Sequence, residues 1–340
     1  SGSSVRGSRY YLSLFNPFPD AASVDITFAT DSGPRTPVAL RSFSVPARSV
    51  RVVPVHESVT DRSAIATNVS VRSGRITVDR VQTFDGTVEP IVAGDDGAVA
   101  SPAPRGLVST PGSPVRADRW VVPSGRLTDG VRTQVAVFNP ARTDAQVDVV
   151  VSYQEPERNP PLEPIELTIR PKEQAIVDLN ALSGIMFDTD LAIDVRSLEG
   201  EAVVAERISY FDEPAPRQGV AVAAGQPMAA TRWLVAQAGP TQSRTATVQV
   251  FNPGPTDAQV TVEQLDGAVG AELPDAAITI PAGDRRSLDL SGAAPAATVI
   301  VSADQPLVVG SSMSLDSGEG IALAPGFSFT DTVVALPPYT

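Results

Sequence analysis

The sequence predicts an all-β protein made of three tandem immunoglobulin-like β-sandwich repeats. Three observations predict it: the composition, the spacing of the turn signals, and a pattern that recurs three times along the chain. The chain is rich in Val, Ala and Thr and holds 31 Pro and 25 Gly in 340 residues. Branched side chains fit a pleated surface, while Pro and Gly punctuate it. Turn signals every 8–12 residues give seven or eight short strands per repeat, the pattern of an antiparallel sandwich. No stretch shows clean helical periodicity between good caps. The segment 171–182 comes closest and reads better as a strand.

The recurrence is anchored by Phe15-Asn16-Pro17, Phe138-Asn139-Pro140 and Phe251-Asn252-Pro253, spaced 123 and 113 residues apart. Each anchor is followed by an alternating strand, as in AQVDVVV and AQVTVEQ, which buries one face. Asn-Pro ends the preceding strand, because Pro cannot donate to a ladder and pushes Asn towards an extended or turn conformation. The Asn side chain can close that turn. A second block follows 28 to 31 residues after each proline, marked by Pro46, Pro171 and Pro281. A third reads ITVDRVQTFD (76–85), AVVAERISYFD (202–212) and PLVVGSSMSLD (306–316).

Two repeats open on an Arg-Trp strand, Arg119-Trp120-Val121-Val122 and Arg232-Trp233-Leu234-Val235. Each Trp lies 18 residues before its Phe-Asn-Pro, a position that falls ahead of residue 1 in the first repeat. The boundaries are therefore 5–100 for repeat one, 101–117 for a linker, 118–225 for repeat two, 226–327 for repeat three and 328–340 for a C-terminal strand. That last strand, Asp331 to Leu336, looks like the first strand of a fourth copy. On one reading it completes repeat one and closes a pseudo-threefold ring, hiding an open edge. On the other, residues upstream supply the missing strand and the tail packs on repeat three. The opening Ser1-Gly2-Ser3-Ser4 reads as a cut, with the native chain continuing upstream. The segment 87–118, rich in Pro, Gly and Ser, is expected along the surface, and 153–164 is a proline-rich hairpin tip.

A formal charge of −13 argues against nucleic acid and against an anionic membrane surface. No segment approaches the apolar length needed to cross a bilayer. The absence of cysteine removes disulfides, thiolate metal sites and Cys nucleophiles. The single histidine, His56, has no counterpart in the other repeats, and no Gly-x-Ser-x-Gly elbow accompanies it. Asp188 with Asp190, and Asp95 with Asp96, are the tightest carboxylate groups; they read as solvated turns rather than a glycosidase pair or a calcium loop. No cofactor is expected, because no phosphate loop, dinucleotide fingerprint or zinc signature occurs. The sequon Asn68-Val69-Ser70 would carry little weight if the source were bacterial.

Repeated polar residues are the better candidates. Asp79-Arg80 aligns with Glu206-Arg207, and Arg119 aligns with Arg232 ahead of Trp120 and Trp233. One reading is a glycan platform in which Trp stacks and Arg fixes hydroxyls or carboxylates. The other is that Trp fills the core while Arg bridges an acidic neighbour at a repeat junction. Repetition favours the second, since every copy must build the same core and the same joint.

With these residues in view, the block order resembles a tandem repeat of secreted and envelope-associated proteins of actinobacteria and related bacteria. The resemblance rests on Trp120 to Gly125, Phe138-Asn139-Pro140, and Val203-Val204-Ala205-Glu206-Arg207 followed by Tyr210-Phe211. Repeat three lacks the Glu-Arg and repeat one lacks the Trp strand. The resemblance implies an extracytoplasmic location, secreted or behind a membrane anchor, and a link to envelope polysaccharide machinery. It carries no catalytic residues. A lysine-poor composition, with Lys172 alone, fits a high-GC bacterial source. The expectation is a non-catalytic envelope scaffold with a protein partner; the alternative is a module that binds cell-wall glycans.

Overall fold

The computed structural model describes residues 1–87, 105–154, 162–182, 188–212, 215, 218–266, 269–318 and 320–329. It is built from antiparallel strands paired in two sheets per unit, and the three predicted repeats are three β-sandwich units.

The second unit shows the plan. Its first sheet is ordered Gln174–Asp178, Val131–Phe138, Val204–Phe211, Gly219–Ala224. The second sheet pairs Ile165–Ile169 with Ala145–Tyr153, Ala145–Tyr153 with Thr189–Ser197, and Thr189–Ser197 with the Trp strand Arg119–Val122. Burial alternates residue by residue along Ala145–Tyr153, as the sequence pattern requires. Between the sheets Val135, Val137, Val147, Val149, Ile193 and Val195 form a dry core with Trp120. Unit 3 repeats this plan. There, however, one strand, Thr298–Leu315, serves both sheets: its first part pairs with Ala230–Val235 and Ala258–Asp266, its last part with Arg244–Phe251 and Ile321–Pro325.

Unit 1 has the same two sheets. One is ordered Ser49–Pro54, Ser8–Asn16, Thr77–Asp85, Arg105–Pro111. The other pairs Ala22–Thr30 with Ile65–Ser73 and with the short strands Gly33–Arg35 and Phe43–Val45. Two expectations change here. Much of the predicted linker 101–117 is structural: Arg105–Pro111 is the outer strand of unit 1, laddered from Asp79 to Asp85, because its branched residues fit the free edge of Thr77–Asp85. The edge where a Trp strand would lie holds, among the described residues, only a bridge between Gly2 and Ile65. Of the tail proposed to fill it, 328–340, Ser328 and Phe329 lie along the Trp strand of unit 3; residues 330–340 and the segment 88–104 lie outside the described residues.

The Asn of each Phe-Asn-Pro is fully buried and performs the same task three times. Asn16 Nδ2 donates to the carbonyls of Asp20, Val45 and Pro46 at 2.8–3.1 Å. Asn139 Nδ2 donates to Thr143 and Ile169, both at 2.8 Å. Asn252 Nδ2 reaches Thr256, Ile280 and Pro281 at 2.7–3.2 Å. Each Oδ1 accepts the amide two residues on, from Phe18, Ala141 or Gly254. One amide thus closes the turn out of one sheet and ties it to the second repeated block.

The geometry also resolves the register of that second block. Arg48, Lys172 and Gly283 share a left-handed conformation, with φ of 49°, 61° and 73°. Counted from this turn, Pro46 and Pro281 occupy one position, whereas Pro171 falls one residue later. The expected three-way alignment of these prolines therefore holds for two of them.

Asn252→Ala and Asn252→Asp are expected to destabilise unit 3 by about 2–4 kcal/mol, since each strands buried carbonyls without a donor. Calorimetry resolving the units would show the loss as a lowered unit-3 transition. An unchanged melt for Asn252→Asp, which keeps the shape and loses the donor, would show that the clamp does not matter.

Candidate functional site

The candidate residues gather where consecutive units meet. At each joint, the outer face of the Asn-Pro sheet of one unit is covered by the preceding unit. The first joint is apolar at its centre: Phe84 and Val108 of unit 1 pack on Ala136, Ile208, Tyr210, Val220 and Val222 of unit 2. The rings of Phe84 and Tyr210 meet edge-on with centroids 6.4 Å apart. At the second joint Val121 and Ala192 of unit 2 pack on Phe251 and Val308 of unit 3.

Arg80 crosses the first joint. Its guanidinium donates to both carboxylate oxygens of Glu206 at 3.0 and 3.1 Å, in the planar fork geometry that Arg matches best. The Ser1 carbonyl takes a third bond at 2.8 Å, and the Ser1 ammonium group also lies on Glu206. Asp79-Arg80 and Glu206-Arg207 are therefore related as expected, with one further feature: the Arg of one unit pairs with the Glu of the next.

Arg207 is the counterpart of Arg80 at the second joint, and its partner is missing. The strand registers place Gly310 where unit 2 has Glu206. Arg207 is only 3 % exposed, donates to Ser124 Oγ at 3.1 Å, and leaves Nε without a hydrogen-bond partner among the described residues. Burial, with Arg285 beside it, pushes its guanidinium down to about 10. A carboxylate restored at position 310 would require the Pro123 ring to shift, because a Cβ there would sit 3.0 Å from Pro123 Cγ. The charge that does bridge this joint is Arg285. It is buried and contacts Asp190 at 3.1 Å and Gln154 Oε1 at 2.6 Å across the boundary.

The Trp residues resolve between the two readings offered above. Trp120 and Trp233 are 2 % and 1 % exposed. Each indole N–H donates to a carbonyl of its own unit, Val203 at 2.8 Å and Leu307 at 3.0 Å. Neither ring can stack on a sugar in this conformation. The next segment of chain lies against each ring: a Cβ at Gly225 would lie 3.3 Å from Trp120 Cε3, and one at Gly326 3.0 Å from Trp233 Cε3. Arg119 forms a bidentate pair with buried Asp194, at 3.0 and 2.7 Å, and reaches the Pro253 carbonyl at 3.5 Å. Arg232 has no such acid beside it, because the register places Ile300 in the position of Asp194; it lies over the Phe329 ring at 4.7 Å. The six residues thus do not converge on one pocket.

The remaining candidates have local roles. His56 Nδ1 lies 3.0 Å from the Tyr10 carbonyl, and its ring stands edge-on to Tyr11 at 4.9 Å. Asp188 is exposed and pairs with Arg126 at 2.9 Å. Asp95 and Asp96 lie outside the described residues. Among the described residues no three His, Asp or Glu side chains are grouped to hold a metal, and no helix is long and apolar enough to cross a membrane. A small cavity at the first joint is lined by Arg80, Gln82, Gln134 and Tyr210, and both polar atoms of the Gln134 amide are without a partner there.

The pattern of one family matches residues 1–163 and, in an overlapping second match, residues 81–326. The chain belongs to this family, described as a family of unknown function (DUF5719). Two overlapping matches to one pattern are what a chain of repeats gives. No curated protein matches the chain. Among solved structures it is similar to the Thermotoga maritima 1070 crystal structure, at 17 % identity and a TM-score of 0.28, over 33 % of this chain and 94 % of that one. It is also similar to the Anabaena sensory rhodopsin transducer, at 23 % identity and a TM-score of 0.24, over 27 % of this chain and 96 % of that one.

The two arginines should respond in opposite ways to the same substitution. Arg80→Met removes the bidentate partner of Glu206 and is expected to cost about 2–4 kcal/mol. Arg207→Met removes a buried cation that has no carboxylate of its own and is expected to be neutral or stabilising by about 1 kcal/mol. Thermal melts of the two variants give the comparison. For the indoles, the expected fluorescence is blue-shifted, resistant to aqueous quencher, and unchanged by wall oligosaccharides; quenching in the folded protein would place a ring at the surface.

Proposed function

We propose that this protein is a non-catalytic scaffold of the cell envelope that holds a protein partner on the outside of the cell. One observation carries the reading. The outer face of the Asn-Pro sheet is covered by a neighbouring unit in units 2 and 3, whereas in unit 1 it is open and apolar, with Phe15, Val50 and Val52 exposed side by side. A contiguous apolar patch rimmed by polar groups is the usual mark of an interaction surface. The repeated charged residues support the same reading, because Arg80 and Arg119 are engaged in joints rather than in a pocket. The extracytoplasmic location rests on the resemblance of the repeat blocks to those of secreted and envelope-associated proteins. The glycan-binding alternative loses its stacking platform with Trp120 and Trp233 enclosed.

The test is affinity purification of the tagged full-length protein from its native envelope, beside the variant Val50→Asp/Val52→Asp. A protein recovered in near-stoichiometric amount with the wild type and lost with the variant is the expected result. Wall polysaccharide recovered without a protein, or equal capture by both forms, would overturn it.

A further inference from the structure

The two joints share one plan, the end of one unit seated on the outer Asn-Pro sheet face of the next, although their apolar contacts fall at different positions; the two ends of the array carry surfaces of the same two kinds left uncovered. On the receiving side, position 15/138/251 is Phe in every unit. Phe251 is buried beneath unit 2 and Phe138 is half-buried, whereas Phe15 is 41 % exposed. Val52 stands opposite Ser13, just as Ile176 stands opposite Ala136. Ile176 packs into the first joint, whereas Val52 is 59 % exposed and Val50 55 % exposed.

On the covering side, the equivalent position is Phe84, Phe211 and Leu315. The registers fix this, since Ser8 pairs with Phe84, Val131 with Phe211 and Arg244 with Leu315. Phe84 is buried against Tyr210 of the next unit, whereas Leu315 is 49 % exposed. Phe327, on the strand beside Trp233, is also exposed at this end. Arg119 reaches from the Trp strand of unit 2 to the Pro253 carbonyl of unit 3; its counterpart Arg232 stands where it could reach Pro17 of a following unit 1. Among the described residues no hydrogen bond or ion pair connects unit 3 with unit 1 of the same chain.

We propose that a second copy of the chain completes this third joint, with unit 3 of one molecule seated on the open sheet face of unit 1 of the next. The contact is heterologous: one surface meets a different surface, so an open assembly keeps one free end of each kind, and the copies form a ring if the rotation closes or a filament if it does not. This deepens the scaffold reading above, and rests on it, by naming the protein that occupies the open face.

Sedimentation velocity over a concentration series tests it. The wild type is expected to associate with rising concentration, whereas Val52→Asp and Leu315→Asp, which each remove one half of the joint at an exposed site, stay monomeric. Mixed in equal amounts, the two variants should form a dimer and nothing larger, because the mixture contains one intact pair of complementary surfaces. A monomeric wild type, variants that associate like the wild type, or a mixture that fails to pair while the wild type associates would each overturn the proposal. A monomeric wild type that nonetheless captures an envelope protein through Val50 and Val52 would remove the second copy and leave the scaffold reading standing.

Discussion

The interaction on which the rest depends is the buried amide of the Phe-Asn-Pro turn. Leaving a sheet inside a sandwich exposes backbone carbonyls on both sides of the turn, and proline has already removed one donor from the ladder. A single Asn supplies the missing donor and acceptor at once. It anchors the chain leaving one sheet to the block that begins the return, and so fixes how the two are spaced. This is why three units that share few core residues keep one register. Unit 1 packs Tyr10, Leu12 and Phe28 where unit 2 has Thr133, Val135 and Val151, and the turns still superpose in sequence position.

The units are joined by a second economy. Each sandwich is open at one side, where its inward-facing Phe84 or Phe211 and its Arg80 or Arg207 would otherwise meet water. The flat outer sheet of the next unit closes that opening. The same surface therefore serves as the outside of one unit and as the wall of another. Charge is placed differently in the two joints. The first uses a bidentate pair, Arg80 with Glu206. The second spends its carboxylate, Asp190, on Arg285 and leaves Arg207 with a hydroxyl.

Much of the fold was legible in the sequence because its signals are local. Alternation in AQVDVVV, the Asn-Pro stops and the threefold recurrence each follow from backbone chemistry within a few residues. The burial of Trp120 and Trp233 was legible as the reading that repetition favoured. What escaped was non-local. Nothing near Arg80 says that its partner is Glu206 of the next repeat rather than a group in its own. Arg105–Pro111 looked like a linker because only the free edge of Thr77–Asp85 makes it a strand. The one-residue displacement of Pro171 was visible only through the left-handed turn at Lys172; Gly283 at the equivalent position was the one signal that could have revealed it. The open face of unit 1 was equally hidden, since Phe15 reads the same as Phe138 and the covered Phe251.

The strand Thr298–Leu315 has a mechanical meaning. In unit 2 the corresponding path breaks at the Glu199-Gly200 turn, so its two sheets hang on separate strands. In unit 3 one unbroken strand threads both ladders. A displacement of one sheet of unit 3 is therefore carried into the other through the same backbone. Among the described residues units 1 and 2 have no such shared strand, so only in unit 3 are the two sheets coupled by continuous ladder backbone.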